Sequence, residues 1–392
     1  MNMGLLHLAT RRIRHEWLQA VVLVLCIAVS IFLPATSTML MSQYNEGLMD
    51  RAARTPVVIG SRGSRFDLVL SSLYFRPVNI DPVSMAVLER SEQEINGVLV
   101  PLHLEHTAQG FPVVGTTTDY MFQRELVPVQ GTVPVSLGEA LVGADVASSL
   151  GLAPGNTLRT DMVNLHDLSV PLSVELKVCG VLPETDTPDD QAVLVDLQTT
   201  WLISGLLHGH VEPQDATEDE EGVSLKTDSV VVFNPALDQY NSIDMENIGS
   251  FHHHVDPDKL PLSAILLYPR DAKEETLART RINETTLQQA VIPRRVIDDL
   301  LAQVFKVKRI LDGLSIVVAT CTGILVVLVI TLSIRSRRQE HRTLHMIGCA
   351  PGAVTGLVSI ELLIVLLLSI LLAAGASLVA VALAPDLLRL IY

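Results

Sequence analysis

Leu314–Val354 reads LSIVVATCTGILVVLVITLSIRSRRQEHRTLHMIGCAPGAV, and the organisation of the chain follows from it. Its first 21 residues, Leu314–Ile334, contain no charged side chain. A helix of that length, at about 1.5 Å per residue, crosses the ~30 Å hydrocarbon core of a bilayer. Arg335, Arg337, Arg338 and Arg342 crowd its C-terminal end. Arginine clustered beside a span marks the cytoplasmic side. The expectation is a helix that enters the cytoplasm, a basic hairpin that turns there, and a second apolar run from Leu357 that leads back out.

Working outward, hydropathy and charge are both uneven. The mean hydropathy is +0.39 and only 18% of the 392 residues are charged. The apolar runs lie at the two ends, around one large insert. Thr38–Arg309 holds 20 Lys and Arg against 38 Asp and Glu, so the insert carries about −18 of a chain whose net charge is −15. An acidic insert with no basic patch excludes nucleic acid as its partner. Of the four cysteines only Cys179 lies in the insert, which therefore closes no disulfide within itself. All four read as small apolar fillers.

Met1–Trp17 has the pattern of an amphipathic helix, with Leu5, Leu6, Leu8 and Ile13 opposite Arg11, Arg12, Arg14 and His15. Ala20–Thr36 is the first span. The arginines before it place the N-terminus inside. The run is longer than a signal-peptide core, and the residues after it make a poor cleavage site, so an uncleaved anchor is expected. Pro34 is a candidate kink. Met41, Tyr44 and Leu48 keep helical spacing beyond the span, as do Val296, Leu300, Val304, Val307 and Leu311 before the second one. Two helices are thus expected to leave the membrane as a paired stalk.

The insert alternates strand patterns (98–103, 111–115, 170–182, 192–196, 229–233, 264–268) with helical ones (82–92, 144–150, 197–207, 272–280) and shows no regular βαβ repeat. Gly356–Ala384 is a third span, roughly 43 Å as a helix. The expected architecture is an α+β membrane protein: 1–37 amphipathic helix and first span, 38–309 stalk and extracytoplasmic domain, 310–334 second span, 335–355 cytoplasmic hairpin, 356–384 third span, 385–392 tail.

Span, basic turn and the following apolar-Ile-Gly-small stretch together resemble the FtsX-like/MacB-like permease family of ABC transporters, the mechanotransmission class. The residues are Arg337-Arg338-Gln339-Glu340-His341-Arg342-Thr343-Leu344-His345-Met346-Ile347-Gly348-Cys349-Ala350, with His341 and Arg342 where the family usually has Ile-Gly. Glu361 looks like the family's F-x-x-E position. Val113–Thr117, Leu141–Ala147, Gly155–Leu158 and Val178–Leu182 follow in an order similar to that of the family's extracytoplasmic domain. The resemblance implies a separate ABC ATP-binding subunit docking on Arg337, Arg338, Glu340, His341, Arg342, Leu344, Ile347 and Gly348. It also implies a homodimer or heterodimer of permease chains in a bacterial inner membrane, in contact with lipid. Members of the family carry a fourth helix after the third, so the chain is expected to be a three-helix variant ending outside or a shortened one.

Chemistry has little to attach to. The sequence has no Gly-Lys pair, hence no phosphate loop, and no G-x-S-x-G, H-E-x-x-H or C-x-x-C. Any ATP hydrolysis is expected in a partner chain, and no cofactor is expected. Asp189-Asp190 and Asp298-Asp299 read as solvated charges. Glu361 is costly if it faces lipid; snorkelling or pairing with Arg337 or Arg342 would relieve it. His208, His210, His252, His253 and His254, near the acidic run Glu218–Glu221, raise an alternative: a membrane-anchored sensor or metal-binding module. Their spacing is not that of a known metal motif, and no metal is expected.

Overall fold

The computed structural model describes residues 3–78, 80–161, 173–209, 223–227, 230–233, 240–241, 251–253, 255–336 and 351–391. The chain divides into a sheet unit, Gly47–Leu300, and a helical unit, Met1–Glu46 with Leu301–Tyr392. The architecture is α+β, with three helices among the described residues long and apolar enough to cross a membrane.

In the sheet unit, eleven strands among the described residues form one mixed sheet. Its path runs β13 (Tyr240–Asn241), β8 (Ser173–Val181), β6 (Glu139–Val142), β9 (Val193–Asp196), β4 (Phe111–Thr116), β3 (Gly97–Ala108), β16 (Ala264–Pro269), β1 (Val57–Ser61) and β17 (Gln288–Val291). β5 (Gln130–Gly131) and β7 (Thr157–Arg159) also pair with β8. Pairs β4–β9, β6–β8 and β13–β8 are parallel and the other pairs antiparallel. Three short ladders complete the strands: β10 (Leu207–Gly209) with β14 (Phe251–His253), β11 (Val223–Thr227) with β12 (Val230–Phe233), and β2 (Val83–Ser84) with β15 (Pro261–Leu262). In β8 every second residue is buried, Val174, Leu176 and Val178 facing the core, as a strand's period of two requires. In β1 Val57, Val58 and Ile59 are all buried, which marks a strand covered on both faces.

Helices α3 (Arg65–Tyr74), α4 (Met85–Glu94), α5 (Thr118–Gln123), α6 (Ala144–Leu150), α7 (Leu197–Ile203) and α8 (Ala272–Glu284) lie between the strands. Ser64 caps α3 by accepting from the Asp67 amide, and Asp271 caps α8 from the Glu274 amide. The helix expected over 197–207 stops at Ile203, because Gly205 at φ 73° ends it and β10 begins at Leu207. Neither α3 nor α5 was visible as a helical pattern.

The helical unit contains α1 (Met3–His15) and parts of α2 (Trp17–Ala53) and α9 (Pro293–Ser336), together with α10 (Pro351–Ile391). α2 continues through Pro34 and α9 through Gly313, so neither residue breaks its helix. α10 is longer than expected: 351–355, assigned to the hairpin, and 385–391, assigned to the tail, are both helical. Proline fits the first helical turn, where its missing amide has no partner to lose, and so Pro351 opens α10. Within this unit hydroxyls join the helices. Ser30 Oγ lies 2.8 Å from Thr322 Oγ1, and Thr36 donates to Ser377 Oγ at 2.9 Å. In hydrocarbon such pairs hold helices together because few other polar partners exist.

Candidate functional site

The last turn of α2 brings a charge into the sheet unit. Met41, Tyr44 and Leu48 are three or four residues apart in the sequence, and Arg51 continues that spacing. Arg51 is 5% exposed. Its Nη1 donates to Asp189 Oδ2 at 2.6 Å and its Nη2 to Asp189 Oδ1 at 3.0 Å, a bidentate pair. Nη2 also donates to the Tyr120 hydroxyl at 3.0 Å, and Nε to the Leu73 carbonyl at the end of α3. The guanidinium carbon stands 5.3 Å from the centre of the Phe75 ring. One side chain of α2 is thereby tied to α3, α5 and the turn that carries Asp189.

That turn is built to present a carboxylate. Pro188–Gln191 is a short 3-10 turn capped by Thr187, whose side chain accepts from the Asp189 amide while Asp190 accepts from the Thr187 amide. Asp190 accepts further from the Thr185 amide and hydroxyl. Gly143 lets β6 approach the turn closely: a Cβ there would strike the carbonyl oxygens of Asp189 and Asp190. Tyr120 donates to Asp189 Oδ1 at 2.7 Å, and Arg124, over the Tyr120 ring, donates to Thr55 Oγ1 at 2.6 Å.

Burial by itself would push the Asp189 carboxyl up, but Arg51 and the hydrogen bonds from Arg51 and Tyr120 overturn it and hold the carboxyl below its ordinary value. Burial would likewise lower Arg51, and Tyr120 and Asp189 reverse that, so the guanidinium stays charged. Burial, reinforced by Asp189, raises the Tyr120 phenol and keeps it a donor. The sequence reading of Asp189 and Asp190 as solvated charges is thus overturned: they are 1% and 5% exposed. The signal was present in Thr187-Pro188-Asp189-Asp190, an N-cap followed by proline. Asp298 and Asp299 are exposed as expected, with Asp299 3.4 Å from Arg65.

A second polar group is sealed in the same unit. β3 is irregular between His103 and His106, and their rings are 5.6 Å apart. His106 Nε2 meets Ser204 Oγ at 2.7 Å. Burial and the neighbouring His106 press His103 down to about 3; burial, partly offset by a bond to the Thr200 backbone, lowers His106 to about 4.

The expected docking residues, Arg337, Arg338, Glu340, His341, Arg342, Leu344, Ile347 and Gly348, lie outside the described residues. So do His210 and His254. His208 stands opposite His252, and Leu207 opposite His253, in the β10–β14 ladder. Among the described residues no group of three His, Cys, Asp or Glu could hold a metal ion. Glu361, on α10, is described: its Oε1 lies 3.3 Å from Nε of Arg12 on α1, an ion pair. Arg337 and Arg342 were the partners considered from the sequence. A cavity of about 70 Å³ lies beside this pair, walled by Ile13, Leu23, Val329 and Leu362.

No family model matches the chain, and no curated protein matches it. Solved structures similar to it include the periplasmic region of MacB from Actinobacillus actinomycetemcomitans, at 9% identity and TM-score 0.36, covering 63% of this chain and 92% of that one. Another is the extracellular domain of the noncanonic ABC-type transporter YknZ from Gram-positive bacteria, at 10% identity and TM-score 0.34, covering 60% of this chain and 98% of that one. At these scores the functional reading rests on the residues of the chain itself.

Proposed function

We propose that the chain is the membrane subunit of an ABC-type machine in a bacterial inner membrane, passing movement to an extracytoplasmic domain and performing no catalysis itself. The observation that carries this is the Arg51 network. A helix long and apolar enough to be a membrane span ends in a buried, bidentate ion pair that ties its last turn to three elements of an α+β domain. Such a joint transmits displacement and offers no nucleophile or open ligand position. The sequence has no phosphate loop, so energy enters through a separate ATP-binding subunit. That subunit grips 337–348 on the cytoplasmic side, where the N-terminus also lies. Its two nucleotide states bind the hairpin with different affinity, and that difference biases the helices. Two permease chains, alike or different, pair around the ATPase.

The test is purification of the full chain in mild detergent and identification of the nucleotide-hydrolysing chain that accompanies it. Arg337→Glu with Arg338→Glu should abolish that association. Retention of the ATPase at the wild-type level would sink the docking assignment, and labelling of 337–348 from the same side as the acidic domain would sink the topology. Stoichiometric metal retained by the chain would favour the sensor reading, to which the opposed His208 and His252 lend a structural hint.

A further inference from the structure

The outer face of α1 is dressed for a surface that is both apolar and anionic. Ala9, Arg12 and Ile13 occupy one side of this helix, three and four residues apart, with Ala9 buried and Arg12 paired to Glu361 of α10. The opposite side exposes Leu8, Arg11, Arg14 and His15, which corrects the sequence expectation that set Leu8 against the charges and Arg12 against Ile13. Directly after the turn at Glu16, Trp17 and Leu18 are 60% and 65% exposed. Arg12 is the only arginine of the three on α1 that is drawn inward, so its neighbours Arg11 and Arg14 keep their charge on the outside.

We infer that this face binds the headgroups of anionic phospholipids, with Arg11 and Arg14 at the phosphates and Trp17 at the headgroup–acyl boundary. The inference rests on the reading of α2 as a membrane span. Given that reading, α1 lies at the cytoplasmic surface, where anionic lipid concentrates. Charge complementarity then selects the occupant: two guanidiniums beside exposed Leu8, Trp17 and Leu18 match a phosphate layer over hydrocarbon. Tryptophan prefers that boundary because its ring is apolar and its N–H needs a partner. A free phosphate would satisfy the arginines and leave the tryptophan and leucines in water. Because Arg12–Glu361 fastens α1 to α10, the lipid contact also registers the third helix against the surface.

The chain has two tryptophans, and Trp201 is 4% exposed in the core of the sheet unit, so Trp17 reports lipid contact. The full chain is reconstituted in phosphatidylcholine vesicles containing an equal mole fraction of either brominated phosphatidylglycerol or brominated phosphatidylcholine. Attraction of anionic lipid worth about five-fold per arginine predicts stronger quenching by the brominated anionic lipid. Arg11→Gln with Arg14→Gln should bring the two signals together, and so should raising the wild type to about 1 M salt, where the screening length is ~3 Å. Equal quenching by both lipids, or an excess that neither the variant nor salt reduces, overturns the headgroup assignment and leaves the span intact. Quenching by neither lipid overturns the span as well.

Discussion

Two of the protein's arginine–carboxylate pairs, one in each unit, have the same chemistry and are built to different standards. In the sheet unit, Arg51 and Asp189 have side chains 4% and 2% exposed, meet through two nitrogens and two oxygens, and share Tyr120 as a third partner. In the helical unit, Arg12 and Glu361 are 11% and 21% exposed and meet through a single ion-pair contact of 3.3 Å. The first pair has its carboxylate locked by a capped turn and its guanidinium held by a carbonyl, so neither charge can leave without stranding the other. The second is more exposed and meets through one contact where the first meets through two. The proposed function assigns the role of carrying load to the first pair.

The comparison breaks first at Asp189. Asp189→Ala strands a buried guanidinium and should destabilise the sheet unit by about 3–5 kcal/mol, read as a lowered denaturant midpoint. The double variant Arg51→Met, Asp189→Leu should recover most of that loss, since a well-packed apolar pair often equals a buried ion pair in stability. If the proposed function holds, it should nonetheless weaken coupling to the proposed ATP-binding subunit, because the directional bonds are gone. Full coupling in the double variant would show that the joint is only structural.

Acid is the next largest perturbation. His103 and His106 are held neutral at about 3 and about 4, whereas both take up protons near 6.5 when unfolded. The unfolded state then binds more protons, so stability is complete above about pH 6.5 and falls by about 2 kcal/mol per pH unit from there toward pH 4. His103→Leu should flatten that slope in denaturation measured across this range. Asp189 adds a further loss that begins as the pH falls through the ordinary carboxylate range and is complete once its lowered pKa is passed. A smaller effect follows from crowding: Gly143→Ala pushes β6 off the Asp189 turn and should cost about 1–3 kcal/mol in thermal unfolding.

The smallest effect sharpens the contrast from the other side. Glu361→Gln should cost less than Asp189→Ala, because the pair makes one contact where Arg51 and Asp189 make two. The exchange Arg12→Glu, Glu361→Arg should match the wild type. A loss at Glu361 as large as that at Asp189 would erase the distinction between the two pairs.

Several strands could be read ahead of the structure for a simple reason. A half-buried strand must alternate, and Ser173–Val181 alternates; a covered strand must be apolar throughout, and Val193–Val195 is. The three apolar helices were equally plain, because hydrocarbon imposes length and composition locally. α5 was not, since six residues are too few to show a period. Glu361 was legible as costly, yet its partner Arg12 lies 349 positions away, and no local spacing points to it.

What the sequence alone determined is thus whatever one segment's contact with its solvent dictates: spans, strand periods, caps and the missing phosphate loop. Tertiary structure alone decided which charges are buried. Asp189 and Asp298 each begin a pair of adjacent carboxylates in an acidic insert, but Asp189 meets an arginine delivered from 138 residues away and is buried while Asp298 is exposed. The energy of a buried charge depends on its partner's position in space, and that position is not written in the residues beside it.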